Sequence, residues 1–223
     1  MDEEEAGTPS LDGGGKESRE REEEARMVVM GKDGTGKSAL IVRLLTRRFI
    51  HEYDPTSEDV YAFETLIDGK RALMKIMDTA GLVERTARRR ERQIEWGDGF
   101  LLVLSSTSRE SLRDAVRIKE MIDRLPENRK KPLALVANKR DLVHAREVTS
   151  AEVRELAGGW RCRVFETSAT DDYGSVSEPF FALYRDILRD RERRGLFPRC
   201  CPSEGEIALS DVDKRYRNRL STR

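Results

Sequence analysis

The sequence predicts an α/β fold: a mostly parallel six-stranded sheet with one antiparallel edge hairpin and helices on both faces. Two observations carry this. Apolar runs of strand length alternate with segments of helical spacing, an order that right-handed crossovers turn into a parallel sheet. One pair of runs is instead separated by Asp68-Gly69 alone, a two-residue hairpin signal that makes one edge antiparallel. At 223 residues the chain is long enough for one well-filled core and short for two.

The strands are expected at Met27–Met30, Val60–Ile67, Leu73–Met77, Phe100–Leu104, Leu133–Ala137 and Val164-Phe165, each a run of apolar or β-branched residues. Helical periodicity covers Ser38–Arg47, Arg109–Leu125, Ser150–Leu156 and Val176 to about Arg193. Residues 1–25 hold mostly Gly, Ser and charged side chains with almost nothing to bury, and read as a disordered arm. The folded domain is expected over 26–190, with a flexible tail over 191–223.

Charged residues make up 38% of the chain, yet Lys+Arg and Asp+Glu balance at 42 each, so charge implies no nucleic-acid partner. Three cysteines, Cys162 and the adjacent Cys200 and Cys201, are neither a disulfide framework nor a spaced metal set, which fits a reducing cytoplasmic setting. No run approaches the ~18 apolar residues of a membrane span, and the N-terminus begins with acids.

Directly after the first strand comes Gly31-Lys32-Asp33-Gly34-Thr35-Gly36-Lys37-Ser38, which fits Gly-x-x-x-x-Gly-Lys-Ser and opens a helix at Ala39. The glycines let backbone N–H groups converge on phosphate oxygens, Lys37 neutralises charge between phosphates, and the Ser38 hydroxyl suits Mg²⁺. A chance match arises in roughly one chain of this length per hundred, and the strand–loop–helix context lowers that. Asn138-Lys139-Arg140-Asp141 follows the strand ending at Ala137. Its Asp141 carboxylate can accept two hydrogen bonds from guanine's ring N–H and exocyclic amine, a donor pair that adenine lacks there.

These residues resemble the Ras superfamily of small GTPases over about Arg26 to Asp190, which implies a P-loop NTPase G domain. Further motifs carry the resemblance: Tyr53-Asp54-Pro55-Thr56 (first switch), Asp78-Thr79-Ala80-Gly81 (second switch) and Glu166-Thr167-Ser168-Ala169 (base loop). Leu45 to Tyr53 and Trp96 to Phe100 look most like the Ras-like estrogen-regulated growth-inhibitor branch. The resemblance implies a monomer that binds GTP or GDP with Mg²⁺, the ion held by Ser38, Thr56 and, through water, Asp78. It also implies that Gly81 donates to the terminal phosphate, Phe49 packs on guanine, the Ala169 N–H supports the base beside Thr170, and Ser168 braces Asp141. Thr56 and Gly81 are then held only while the γ-phosphate is present, so both loops relax when it leaves.

Two positions depart from the family. Leu82 stands where relatives carry the glutamine that orients the attacking water, and Asp33 stands where Ras has a glycine past which an activating arginine enters. Slow hydrolysis and poor response to Ras-type activating proteins are expected. The alternative is that both positions are neutral in a branch using another group, Arg85 being one conceivable substitute. Ser57 beside Glu58 and Asp59 lacks an apolar effector contact, which argues against Ras-type kinase effectors. Arg85, Arg88, Arg89, Arg90 and Arg92 make a basic second-switch helix, suited to an acidic partner or simply solvated. Effectors and an exchange factor are expected at the switch regions. Cys200-Cys201 with the basic run after Lys214 would give at most weak membrane attachment, because no cysteine stands four from the end for prenylation.

Overall fold

The computed structural model describes residues 23–47, 59–79 and 87–195. Strands β1 (Glu23–Met30), β2 (Asp59–Ile67), β3 (Lys70–Asp78), β4 (Gly99–Ser105), β5 (Leu133–Asn138) and β6 (Arg163–Glu166) form one sheet in the order β2-β3-β1-β4-β5-β6. Only β2 and β3 pair antiparallel; every other pair is parallel. Their hairpin turns at Asp68 (φ 54°) and Gly69 (φ 78°), the two positive φ values that this tight turn requires. Helices α1 (Lys37–Thr46), α2 (Ala87–Trp96), α3 (Arg109–Arg124), α4 (Ser150–Trp160) and α5 (Tyr173–Arg193) cover both faces.

Strand alternation divides the interior in two. Met27 and Val29 of β1, Leu101 and Val103 of β4, and Ala134 and Val136 of β5 pack with Leu40, Ile41 and Leu44 of α1 and Phe180, Leu183 and Ile187 of α5. Their neighbours in sequence, Val28, Met30, Phe100, Leu102, Leu104, Leu135 and Ala137, point to the other face. There they meet Ile94 of α2, Ile118 and Ile122 of α3, and Val153 and Ala157 of α4. All seven residues of β4 are buried, as expected of a central parallel strand.

Several element boundaries differ from the sequence expectation, and some have clear causes. β1 begins at Glu23, so residues 23–25 of the expected arm belong to the sheet: Ala25 is fully buried, and the Tyr184 hydroxyl donates to the Glu23 carbonyl at 2.7 Å. α4 runs four residues past Leu156, through Gly158-Gly159, because Trp160 packs on the second core and outweighs the ~1 kcal/mol cost of each helical glycine. α5 starts three residues before the expected Val176, at Tyr173, where the Asp172 side chain caps the Ser175 N–H, and ends at Arg193 as expected.

At the end of the sheet where β1 begins, Asp98 ties three elements together. It accepts from the Arg26 backbone N–H (2.9 Å), from the Arg26 guanidinium (3.3 Å) and from Arg191 of α5 (2.7 Å), while Arg26 stacks over Trp96, the last residue of α2. Burial alone would raise the Asp98 pKa; the Arg26 hydrogen bonds and the Arg191 charge overcome it and hold the carboxyl below its ordinary range. Asp98→Asn leaves two half-buried guanidinium groups without their carboxylate, at a cost of about 3 kcal/mol. A melting temperature lower by about 9 °C at neutral pH is expected. Because the folded-state pKa is depressed, this contribution is complete above about pH 4 and is lost as pH falls below it, so the gap between the proteins narrows in acid.

Candidate functional site

The loop between β1 and α1 lies at the carboxyl ends of the parallel strands, where α/β sheets bind ligands. Lys37, the first residue of α1, is 5% exposed and turns back over the loop: its Nζ donates to the Gly31 carbonyl at 3.0 Å and the Lys32 carbonyl at 3.1 Å. The Asp33 Oδ1 lies 3.9 Å from the same Nζ, on a side chain that is 41% exposed. Burial pushes the Lys37 pKa down, and the Asp78 and Asp33 carboxylates oppose the shift. A buried ammonium among carbonyls and carboxylates, at the N-terminus of a helix behind a glycine-rich turn, fits a polyanionic phosphate group.

Asp78 reaches this loop through register. Parallel pairing sets it opposite Val29, one residue before the end of β1, and it is 5% exposed. Its neighbour Thr79 fixes the approach, donating through Oγ1 (2.7 Å) and N–H (3.3 Å) to the Val29 carbonyl. The half-buried Ser38 hydroxyl and the Asp78 carboxylate are hard oxygen donors, the chemistry that suits Mg²⁺. Among the described residues no group of three His, Cys, Asp or Glu is placed to hold a metal ion.

Asn138 joins the phosphate loop to the far end of the site. Its Nδ2 donates to the Thr35 carbonyl at 2.8 Å, a contact possible only because Gly36 has no side chain: a Cβ there would sit 2.3 Å from Nδ2. The φ of 93° at Gly36 is likewise open chiefly to glycine. The Asn138 Oδ1 is buried with no hydrogen-bond partner among the described residues, an orphaned acceptor of the kind that a polar ligand satisfies. Beyond it, Lys139 adopts φ 65°, its carbonyl accepting from the Ser106 hydroxyl at 2.9 Å, and Arg140 N–H donates to the Thr167 carbonyl at 3.0 Å. These bonds lay Asn138–Asp141 against Glu166–Ala169 and leave Asp141 exposed.

The expected brace from Ser168 to Asp141 is replaced by another. The Ser168 hydroxyl pairs with the Thr170 hydroxyl at 2.7 Å, and Asp171, two residues beyond Ala169, accepts from the Ser168 N–H at 2.6 Å. Asp171 also takes Arg140 Nε at 2.8 Å, so the two loops are held by a carboxylate and a guanidinium that no motif singled out. Ser106 was missed for the same reason, since a lone serine after a strand carries no signal of its own. Phe49, Tyr53, Thr56, Ser57, Glu58, Gly81, Leu82, Arg85, Cys200 and Cys201 lie outside the described residues. Gly31–Ala39, Asp78, Asn138–Asp141 and Ser168–Thr170 all stand at the carboxyl ends of the parallel strands β1, β3, β5 and β6.

Comparison with known proteins agrees with this geometry. Residues 26–189 match the Ras family. The chain is 40% identical over 172 residues to the cattle (Bos taurus) protein described as Ras-related and estrogen-regulated growth inhibitor, covering 77% of this chain and 85% of the relative. Its human (Homo sapiens) counterpart matches with the same identity and coverage. The chain therefore belongs to the Ras family of small GTPases, GTP-binding switch proteins.

Proposed function

We propose that this protein is a guanine-nucleotide switch with slow chemistry, resting largely in its GTP form and responding poorly to Ras-type activating proteins. The carrying observation is the Asp33 carboxylate, half-exposed on the phosphate loop 3.9 Å from Lys37 Nζ, where it competes with phosphate for that cation and narrows entry for an arginine. Leu82 adds to it, because an isobutyl group cannot orient water.

Asp141 selects guanine, and the bond between Asn138 and Thr35 keeps base and phosphate ends in fixed relation. Lys37 would neutralise phosphate charge, Ser38 and Thr56 would hold Mg²⁺ with Asp78 acting through water, and Gly81 would respond to the terminal phosphate. Bound Mg²⁺ supplies further neutralisation of phosphate charge. Effectors and an exchange factor meet the switch loops and the exposed Arg88, Arg89 and Arg92 of α2, with a weak peripheral membrane contact through the tail.

Ion-exchange chromatography of nucleotide released from freshly purified protein should show predominantly GTP; predominantly GDP would overturn the proposal. Leu82→Gln should raise single-turnover hydrolysis by roughly tenfold, less than the ~10³–10⁵-fold that a partner-supplied arginine contributes beside the glutamine. The second reading, a GTP-bound interaction module with negligible hydrolysis, is favoured by the same two residues together and predicts no rise in that variant.

A further inference from the structure

The Lys32 carbonyl is the most heavily used acceptor of the phosphate loop. It receives Lys37 Nζ at 3.1 Å, the Thr35 hydroxyl at 2.8 Å and the Thr35 N–H at 3.4 Å, so the orientation of this one peptide group sets where the loop holds Lys37. The Lys32 side chain leaves the loop and ion-pairs with Glu110, in the first turn of α3.

That end of α3 is a rigid post. The Ser108 side chain caps the Ser111 N–H, and the buried Ser111 hydroxyl accepts from the Ser105 N–H at 2.9 Å. Arg109 donates through its N–H to Glu147 Oε2 (2.8 Å) and through its guanidinium to the Glu147 carbonyl and Glu152 Oε1 (2.7 Å each). Lys32, with Arg113 and Arg117 adding charge, holds the Glu110 carboxyl below its usual range.

We infer that Lys32 is a positioning residue: its pair with Glu110 latches the phosphate loop to the start of α3 and thereby slows release of bound guanine nucleotide. This depends on nucleotide binding, not on the rate of hydrolysis, so it stands or falls separately from the slow-chemistry proposal.

The test is displacement of a fluorescent GDP analogue from the full chain, followed for the wild type, Glu110→Gln, Lys32→Gln and the double variant. At low salt each single variant should release nucleotide about threefold faster, the size expected of an exposed ion pair, and the double variant no faster than either. The differences should vanish at about 1 M salt, where screening acts within ~3 Å. Lys32→Arg, which keeps the charge, should restore the wild-type rate, a rescue that a purely structural contact would not give. Slower release from Glu110→Gln would overturn the inference by showing that the freed ammonium binds phosphate directly. Unchanged release, or accelerations that multiply in the double variant, would overturn it too.

Discussion

Lys37→Ala should weaken GDP binding about a thousandfold, a loss of about 4 kcal/mol. The Nζ sits within hydrogen-bond distance of two loop carbonyls and is shielded from water, so its charge acts on a phosphate through a poorly screened medium. Truncation removes the one buried cation of the loop and leaves the Asp33 and Asp78 carboxylates to repel the ligand. Lys37→Arg should not rescue binding, because a planar guanidinium cannot replace a compact ammonium between the Gly31 and Lys32 carbonyls. Equilibrium titration of nucleotide-free protein measures this; a loss below tenfold would place the phosphates elsewhere.

Gly31→Ala is expected to lower the melting temperature of the nucleotide-bound protein by about 10 °C, from a cost of about 4 kcal/mol. Gly31 has φ 150°, a conformation that side-chain-bearing residues rarely adopt, and an added Cβ would lie 2.1 Å from the Val103 carbonyl oxygen. Val103 cannot yield, since it is fully buried in the central strand β4 with its ladder partner Val136 alongside. The loop would have to move instead, so the same variant should release nucleotide faster. Thermal denaturation and displacement kinetics on one preparation check both effects.

The fold was legible because its signals are local. Continuous apolar runs in β1, β4 and β5 specify burial on both faces, and Asp68-Gly69 specifies a hairpin without reference to anything distant. The boundaries that shifted depended on remote partners: Glu23 is held by Tyr184, and the glycine pair in α4 is carried through by Trp160. The same division runs through the site. Gly31–Ser38 declares itself by spacing, since a backbone path around phosphates dictates residue types at fixed intervals, and Asn138–Asp141 by the carboxylate that a guanine edge requires. Asp171 with Arg140, Ser106 with Lys139, and Glu110 with Lys32 meet only after folding, and their residue types are ordinary for surface loops.

The division of the interior by the sheet sets how firmly each helix is fastened. α5 commits Val176, Phe180, Leu183, Tyr184 and Ile187 to its core, whereas Ile94 is the one fully buried apolar side chain α2 contributes among its described residues. Detaching α2 therefore exposes far less apolar surface than detaching α5, and it falls at the low end of the range of local opening energies. Its C-terminal end, at Trp96 and Asp98, remains tethered to Arg26 and Arg191. Among the described residues, α2 is thus the helix that the least apolar burial fastens to the sheet.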